Sequence, residues 1–130
     1  MVAVEVAVGF AAGMRGQGIA YARIHGSAEH LLRVAFRMRP GFGDDEVGYA
    51  ALTAVARTLR RRGLKNLRLA VDDDAIVAAL NGGDVPEAVV IPYVRLKCAL
   101  NGFDEVRVTV AQAGDLAQRA RAEAALLPAA

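Results

Sequence analysis

Cysteine is almost missing from this 130-residue chain: Cys98 stands alone, so neither a disulfide framework nor a cysteine zinc site can form. Its apolar neighbours predict a buried structural thiol rather than a reactive one. Tryptophan is absent, and three tyrosines and four phenylalanines are too few for an extensive platform on which unpaired bases could stack. No apolar run approaches the roughly 18 to 20 residues that cross a bilayer, although 55% of the residues are hydrophobic and the mean hydropathy is +0.28. Residues 1–10 carry Glu5 and alternate like a strand, with no basic stretch ahead of them, which is not the pattern of a secretory leader. The expectation is a cytoplasmic protein without membrane contact. Lysine is scarce too: apart from Lys65 and Lys97, the Lys/Arg positions are all arginine. Together with the heavy use of alanine, this points to a GC-rich prokaryotic genome. A net charge of +2 permits contact with phosphate backbones without requiring it.

What is present reads as one domain over residues 1–130, since no linker, repeat or charged tail divides the chain. Val2, Val4, Val6 and Val8 alternate with Ala3, Glu5 and Ala7, the period of a strand with two different faces. The turn Gly13-Met14-Arg15-Gly16 leads to a second strand over 18–24, and His25-Gly26-Ser27 to a third over about 30–38. Short connections make these an antiparallel meander. Asp44-Asp45-Glu46 then opens a helix whose apolar stripe is Leu52, Val55, Ala56 and Leu59, ending at Arg60-Arg61-Arg62-Gly63. A short buried strand over 64–71 follows, and Asp72-Asp73-Asp74 caps a short helix that ends at Asn81-Gly82-Gly83. Another helix runs from Val85-Pro86-Glu87 to about Asn101, with Pro92 perturbing its first part. Val106, Val108 and Val110 form a fifth strand, and 115–127 an alanine-rich final helix. The order β-β-β-α-β-α-α-β-α implies an α/β fold with a mixed sheet. Right-handed crossovers set the fourth strand parallel to the first and beside it. The C-terminal ends of those two strands then face a shared crevice, the usual ligand position in such sheets.

This order, over essentially the whole chain, resembles the ribonuclease H-like family, of the type associated with reverse transcriptases. The stretch from Asp45 to Leu52 is similar to that family's helix opening, in which a catalytic Glu precedes Tyr and an Ala-Leu pair. Residues 62–67 and Val71-Asp72-Asp73 resemble its helix exit and next strand, Ile76-Val77 with Leu80-Asn81-Gly82 its short helix, and 101–106 the entry to its fifth strand. The resemblance implies a five-stranded mixed sheet flanked by helices. It also implies cleavage of RNA–DNA hybrids by two divalent ions, Mg²⁺ or Mn²⁺, about 4 Å apart on clustered carboxylates. Asp72 falls where the family has an Asp ligand at the end of the fourth strand; a helix cap or a solvated acidic turn is the competing reading. A gapless reading back from Gly13, Gly16 and Gly18 puts Glu5 at the first-strand carboxylate. The position of the catalytic Glu falls on Gly48, which has no side chain to offer; Asp45, one turn back on the same face, is the candidate displaced ligand. The last family carboxylate aligns with the acid-free segment 117–120, leaving Asp115 as a ligand or as an ordinary first-turn acid. The loop 111–114 also lacks the His that family enzymes often carry there.

The expected array is therefore incomplete, and three functions follow from it. One is a domain that binds nucleic acid, such as an RNA–DNA hybrid, with cleavage lost or weakened. Arg57, Arg60, Arg61 and Lys65 would provide the contact, with Arg62 and Arg68 nearby, since arginine recognises phosphates bidentately. These same cations also read as a helix C-terminal dipole complement on a solvated face. The second is an active hydrolase with a displaced site built from Glu5, Asp72 and Asp45 or Asp115. The third is a protein-interaction domain, for which the apolar composition is compatible with a homodimer.

Overall fold

The computed structural model describes residues 4–25, 30–112 and 114–127. Val2 and Ala3 of the first predicted strand, Gly26 and Ser27 of the second turn, and Ala113 lie outside the described residues. The elements are β1 (Val4–Ala12), β2 (Gln17–His25), β3 (His30–Arg37), α1 (Asp44–Arg61), β4 (Asn66–Val71), α2 (Asp74–Leu80), a 3-10 turn (Glu87–Val89), α3 (Val90–Leu100), β5 (Glu105–Val110) and α4 (Gly114–Leu126). Their order is the predicted one. The sheet runs β3-β2-β1-β4-β5; β1, β2 and β3 are antiparallel neighbours, while β4 is parallel to both β1 and β5. Both crossovers have the length and the helix that parallel pairing demands. Among the described residues no helix is long and apolar enough to cross a membrane.

Alternation along β1 decides which layer goes where. Val6 and Val8 face the larger core, where Leu52, Val55 and Leu59 of α1 meet Leu67, Leu69 and Val71 of β4. The other face of β1 carries Ala7 and Ala11, which pack with Ile19 and Tyr21 of β2 against Leu116, Ala120 and Ala124 of α4. That second layer is built from small side chains, so α4 lies very close to the sheet. At Gly9, midway between Ala7 and Ala11, an added Cβ would lie 2.6 Å from the Leu116 carbonyl carbon and nearer still to the Ala117 nitrogen. Only glycine admits this approach.

Two sequence expectations change. Pro92 does not disturb a long helix: α3 begins at Val90, so the proline falls in its first turn, where no backbone donor is needed. Cys98 is exposed, not buried. Leu96, Ala99 and Leu100 take the core face of α3, which leaves position 98 on the opposite side with exposed Val94, one turn back.

Candidate functional site

The crevice at the C-terminal ends of β1 and β4 is bounded by the starts of α1, α2 and α4. In the β1–β4 register Val8 is opposite Val71 and Glu5 opposite Arg68. Continued one step, the register brings Asp72 to Gly9. Glu5 is four residues back along the strand, about 13 Å from that point at roughly 3.3 Å per residue. There it is exposed in the row His25–Glu5–Arg68–Arg107, which crosses four strands. The expected meeting of Glu5 with Asp72 is thus corrected: Glu5 lies level with Arg68 at the far end of the strand.

The three consecutive aspartates have separate fates. Asp73 is the N-cap of α2, its Oδ1 accepting from the Ile76 N–H at 3.0 Å. Asp74 is the first helical residue, and Asp72 stays exposed and is not the cap. On α1, Asp44 and Asp45 are exposed first-turn acids, whereas Glu46 is buried. Its carboxylate accepts from the Gly43 N–H at 2.8 Å and from the Arg39 guanidinium at 3.0 Å. The Gly43 N–H, and after it Arg39, hold Glu46 below the usual carboxylate range against the opposing pull of burial. Tyr49, one turn beyond Asp45, has its phenol pushed above the ordinary value by burial first and then by Asp73, Tyr93 and Asp45. Asp45 and Asp73 therefore bear on the same hydroxyl, across the gap between α1 and α2.

Gly48 marks the centre of the crevice wall, and the space in front of it is full. A Cβ there would stand 2.9 Å from Cζ of Phe10 and closer to Cδ1 of Ile76. Val8 and Ile76 belong to the main core, and Phe10 is partly buried against it. The glycine thus marks close packing of α1 on β1 and α2: the far ends of Phe10 and Ile76, both apolar, occupy the space into which a side chain at position 48 would project.

Asp115, the other candidate ligand, lies on the opposite face of the sheet. Its carboxylate is ion-paired with Arg23 of β2, which holds it below the usual range. Further along α4, Glu123 accepts from the Tyr21 hydroxyl and pairs with Arg33 of β3, and these contacts depress it in the same direction. Both acids fasten α4 to the meander. Among the described residues no three His, Cys, Asp or Glu side chains are grouped to hold a metal ion. The donors present do not fit a two-metal centre, because among the described residues Asp72 is not gathered with the further carboxylates that two ions need.

Glu46, Asp115 and Glu123 also fix how stability varies with pH. A depressed carboxylate adds stability that is fully present above its unfolded value and lost as pH falls through its folded value. The urea midpoint is therefore expected to fall steeply below about pH 4, near the ordinary carboxylate range. Glu123→Gln should flatten that dependence, and an unchanged slope would refute the assignment. At neutral pH, Glu46→Ala should cost about 1 kcal/mol, the loss of one helix-capping interaction.

The cations predicted as a binding face do not all share one surface: Arg68 stands apart. Arg57, Arg60, Arg61, Arg62 and Lys65 are all exposed around the C-terminal half of α1 and its exit. Within this group the Arg60 guanidinium lies across Gly102. Arg68 is on the other face of the sheet, beside Glu5. Arg57 and Arg61 instead line a groove of about 810 Å³, floored by α1 and walled by β3 on one side and the 3-10 turn with α3 on the other. Arg37, Arg39 and Arg95 line it as well, a convergence that their separation along the chain conceals.

No family model matches the sequence, and no curated protein matches it in sequence. Its likeness to solved structures is extensive. Ribonuclease H1 of the halophilic archaeon Halobacterium salinarum NRC-1 superposes with a TM-score of 0.76 at 17% identity, over 95% of this chain and 97% of that one. The N-terminal ribonuclease H domain of Rv2228c from Mycobacterium tuberculosis, solved as a fusion with maltose-binding protein, gives 0.72 at 14% identity, over 95% and 98%. LC11-RNase H1, isolated from compost by a metagenomic approach and solved with an RNA/DNA hybrid, gives 0.71 at 12% identity, over 93% and 95%. With its mixed sheet and helices on both faces, the chain has the ribonuclease H-like fold.

Proposed function

We propose that this chain is a nucleic-acid-binding domain of ribonuclease H-like fold in which metal-dependent cleavage has been lost. The observation that carries the second half is the plug at Gly48: Phe10 and Ile76 fill the space in front of this position on α1. The first half is supported by the exposed cations Arg57, Arg60, Arg61, Arg62 and Lys65, none of which has a carboxylate partner among the described residues. Such side chains contact phosphates without reading sequence. Support also comes from LC11-RNase H1, which shares the fold and was solved with an RNA/DNA hybrid.

Anisotropy titrations of a labelled RNA–DNA hybrid between about 50 and 200 mM salt test this reading, because log affinity should fall linearly with log salt. Arg60→Ala combined with Lys65→Ala removes two phosphate contacts, so the magnitude of the slope should drop by about 2. Absence of binding even at the lowest salt would overturn the proposal.

A further inference from the structure

The groove along α1 has a property that phosphate recognition does not use. Its wall on the sheet side is formed by six consecutive residues, Val34 to Arg39. Four of them, Val34 to Arg37, belong to β3; consecutive residues of a strand point to opposite faces, so a wall made of all of them is the strand's open edge rather than one of its faces. Among the described residues β3 is the last strand of the sheet on this side, and its outer backbone donors and acceptors have no partner strand there. The floor is low, made by Ala50, Thr53 and Ala54 of α1, and the opposite wall carries Ile91, which is 67% exposed, together with Pro92 and Arg95. Among the described residues Arg37, Arg57, Arg61 and Arg95 have no carboxylate partner. The groove's own acids are Glu87 and Glu46, the latter already taken up by Arg39 and the Gly43 N–H.

We propose that this groove is a docking site for an extended acidic segment of a partner protein, which adds to β3 as a further strand. Backbone pairing to the edge would supply affinity, the four arginines would select carboxylates, and Ile91 with Met38 would cover apolar side chains. About four residues would pair with it, since the β3 edge from Val34 to Arg37 spans roughly 13 Å at about 3.3 Å per residue. A nucleic-acid strand fits less well. It has no use for an open strand edge, and Phe36, the groove's aromatic ring, packs across Gly18 of β2 rather than presenting its face to the groove.

The test uses a fluorescein-labelled eight-residue peptide of alternating Glu and Val, titrated onto the full chain. Binding is expected, and Arg95→Glu should weaken it about 30-fold by replacing attraction with like-charge repulsion. Ile91→Asp should weaken it comparably, and as an exposed residue its replacement leaves the fold intact, which circular dichroism checks. The same peptide N-methylated at alternate residues should bind about tenfold or more weakly through the loss of backbone hydrogen bonds. Equal affinity for the methylated peptide would overturn strand addition. Failure of the parent peptide, with a hybrid affected by Arg95→Glu, would give the groove to nucleic acid. A dimer that Ile91→Asp converts to monomer would give it to a second copy of this chain. Because Arg60→Ala with Lys65→Ala should weaken hybrid and leave the peptide unchanged, failure of the nucleic-acid reading is seen separately from failure of this one.

Discussion

Gly9→Ala is expected to destabilise the protein by about 3 kcal/mol, the upper end of what an overpacked methyl group costs. The obstacle is backbone, the Leu116 carbonyl carbon and the Ala117 nitrogen in the first turn of α4, so no side-chain rotation can relieve it. Either α4 moves away from the sheet or β1 bends. Moving α4 uncovers Ile19 and Tyr21 and separates Tyr21 from the Arg119 guanidinium, now 4.7 Å from the ring centroid. The smaller conformational freedom of unfolded alanine offsets this by only about 0.4 to 1 kcal/mol. With a urea slope near 1.5 kcal/mol per molar, the midpoint should fall by about 2 M. Gly18→Ala is the informative comparison. A Cβ at Gly18 would also be crowded, but by the far end of the Phe36 ring, which can swing aside. That variant should lose less than half as much. If the two variants prove equally costly, the close approach of α4 is not what holds position 9 as glycine.

The same glycine shows how far the sequence could be read. Alternation in β1 correctly separates two faces, and a shift of four residues preserves the face, so Glu5 and Gly9 are equivalent by parity. What parity cannot give is position along the neighbouring strand. Only the pairing of Val8 with Val71 reveals that Gly9, not Glu5, comes level with Asp72. The element order and the stripe of α1 were legible because each depends on local periodicity, and Gly48 was recognisable as a gap in an otherwise matching segment. Its cause was not, since Phe10 and Ile76 reach it from two other elements. Similarly, Arg57 and Arg61 stand out in the sequence as a basic helix end, while Arg37, Arg39 and Arg95 join them only through tertiary packing. Cys98 failed for a further reason: an apolar neighbourhood in sequence includes both faces of α3, and this residue takes the outer one.

An RNA–DNA hybrid incubated with the protein and Mg²⁺ or Mn²⁺ is expected to remain intact, and hybrid affinity should change less than about twofold between metal and chelator. Two ions about 4 Å apart need several oxygen ligands held in a fixed array. Here Asp73 is committed to the Ile76 N–H, Glu46 to Gly43 and Arg39, and Asp115 to Arg23, while Glu5 lies down the strand; Asp45 and Asp72 remain exposed, and among the described residues they are not joined by a third ligand. Gly48→Glu is the sharper test, because it returns a carboxylate to the helix position that the resemblance marks as catalytic. It should not produce cleavage. The new side chain must push aside the ends of Ile76 and Phe10 and would place a charge among apolar side chains, so burial of the carboxylate rather than overpacking carries most of the cost. Gly48→Ala, which adds volume without charge, should be milder, and the difference between the two measures the burial of the carboxylate. Metal-dependent cleavage by the natural chain that disappears in Asp72→Asn would reverse this reading. It would mean that Asp72 recruits ligands by a rearrangement of α2 and the start of α1, the two elements that now close over the plug.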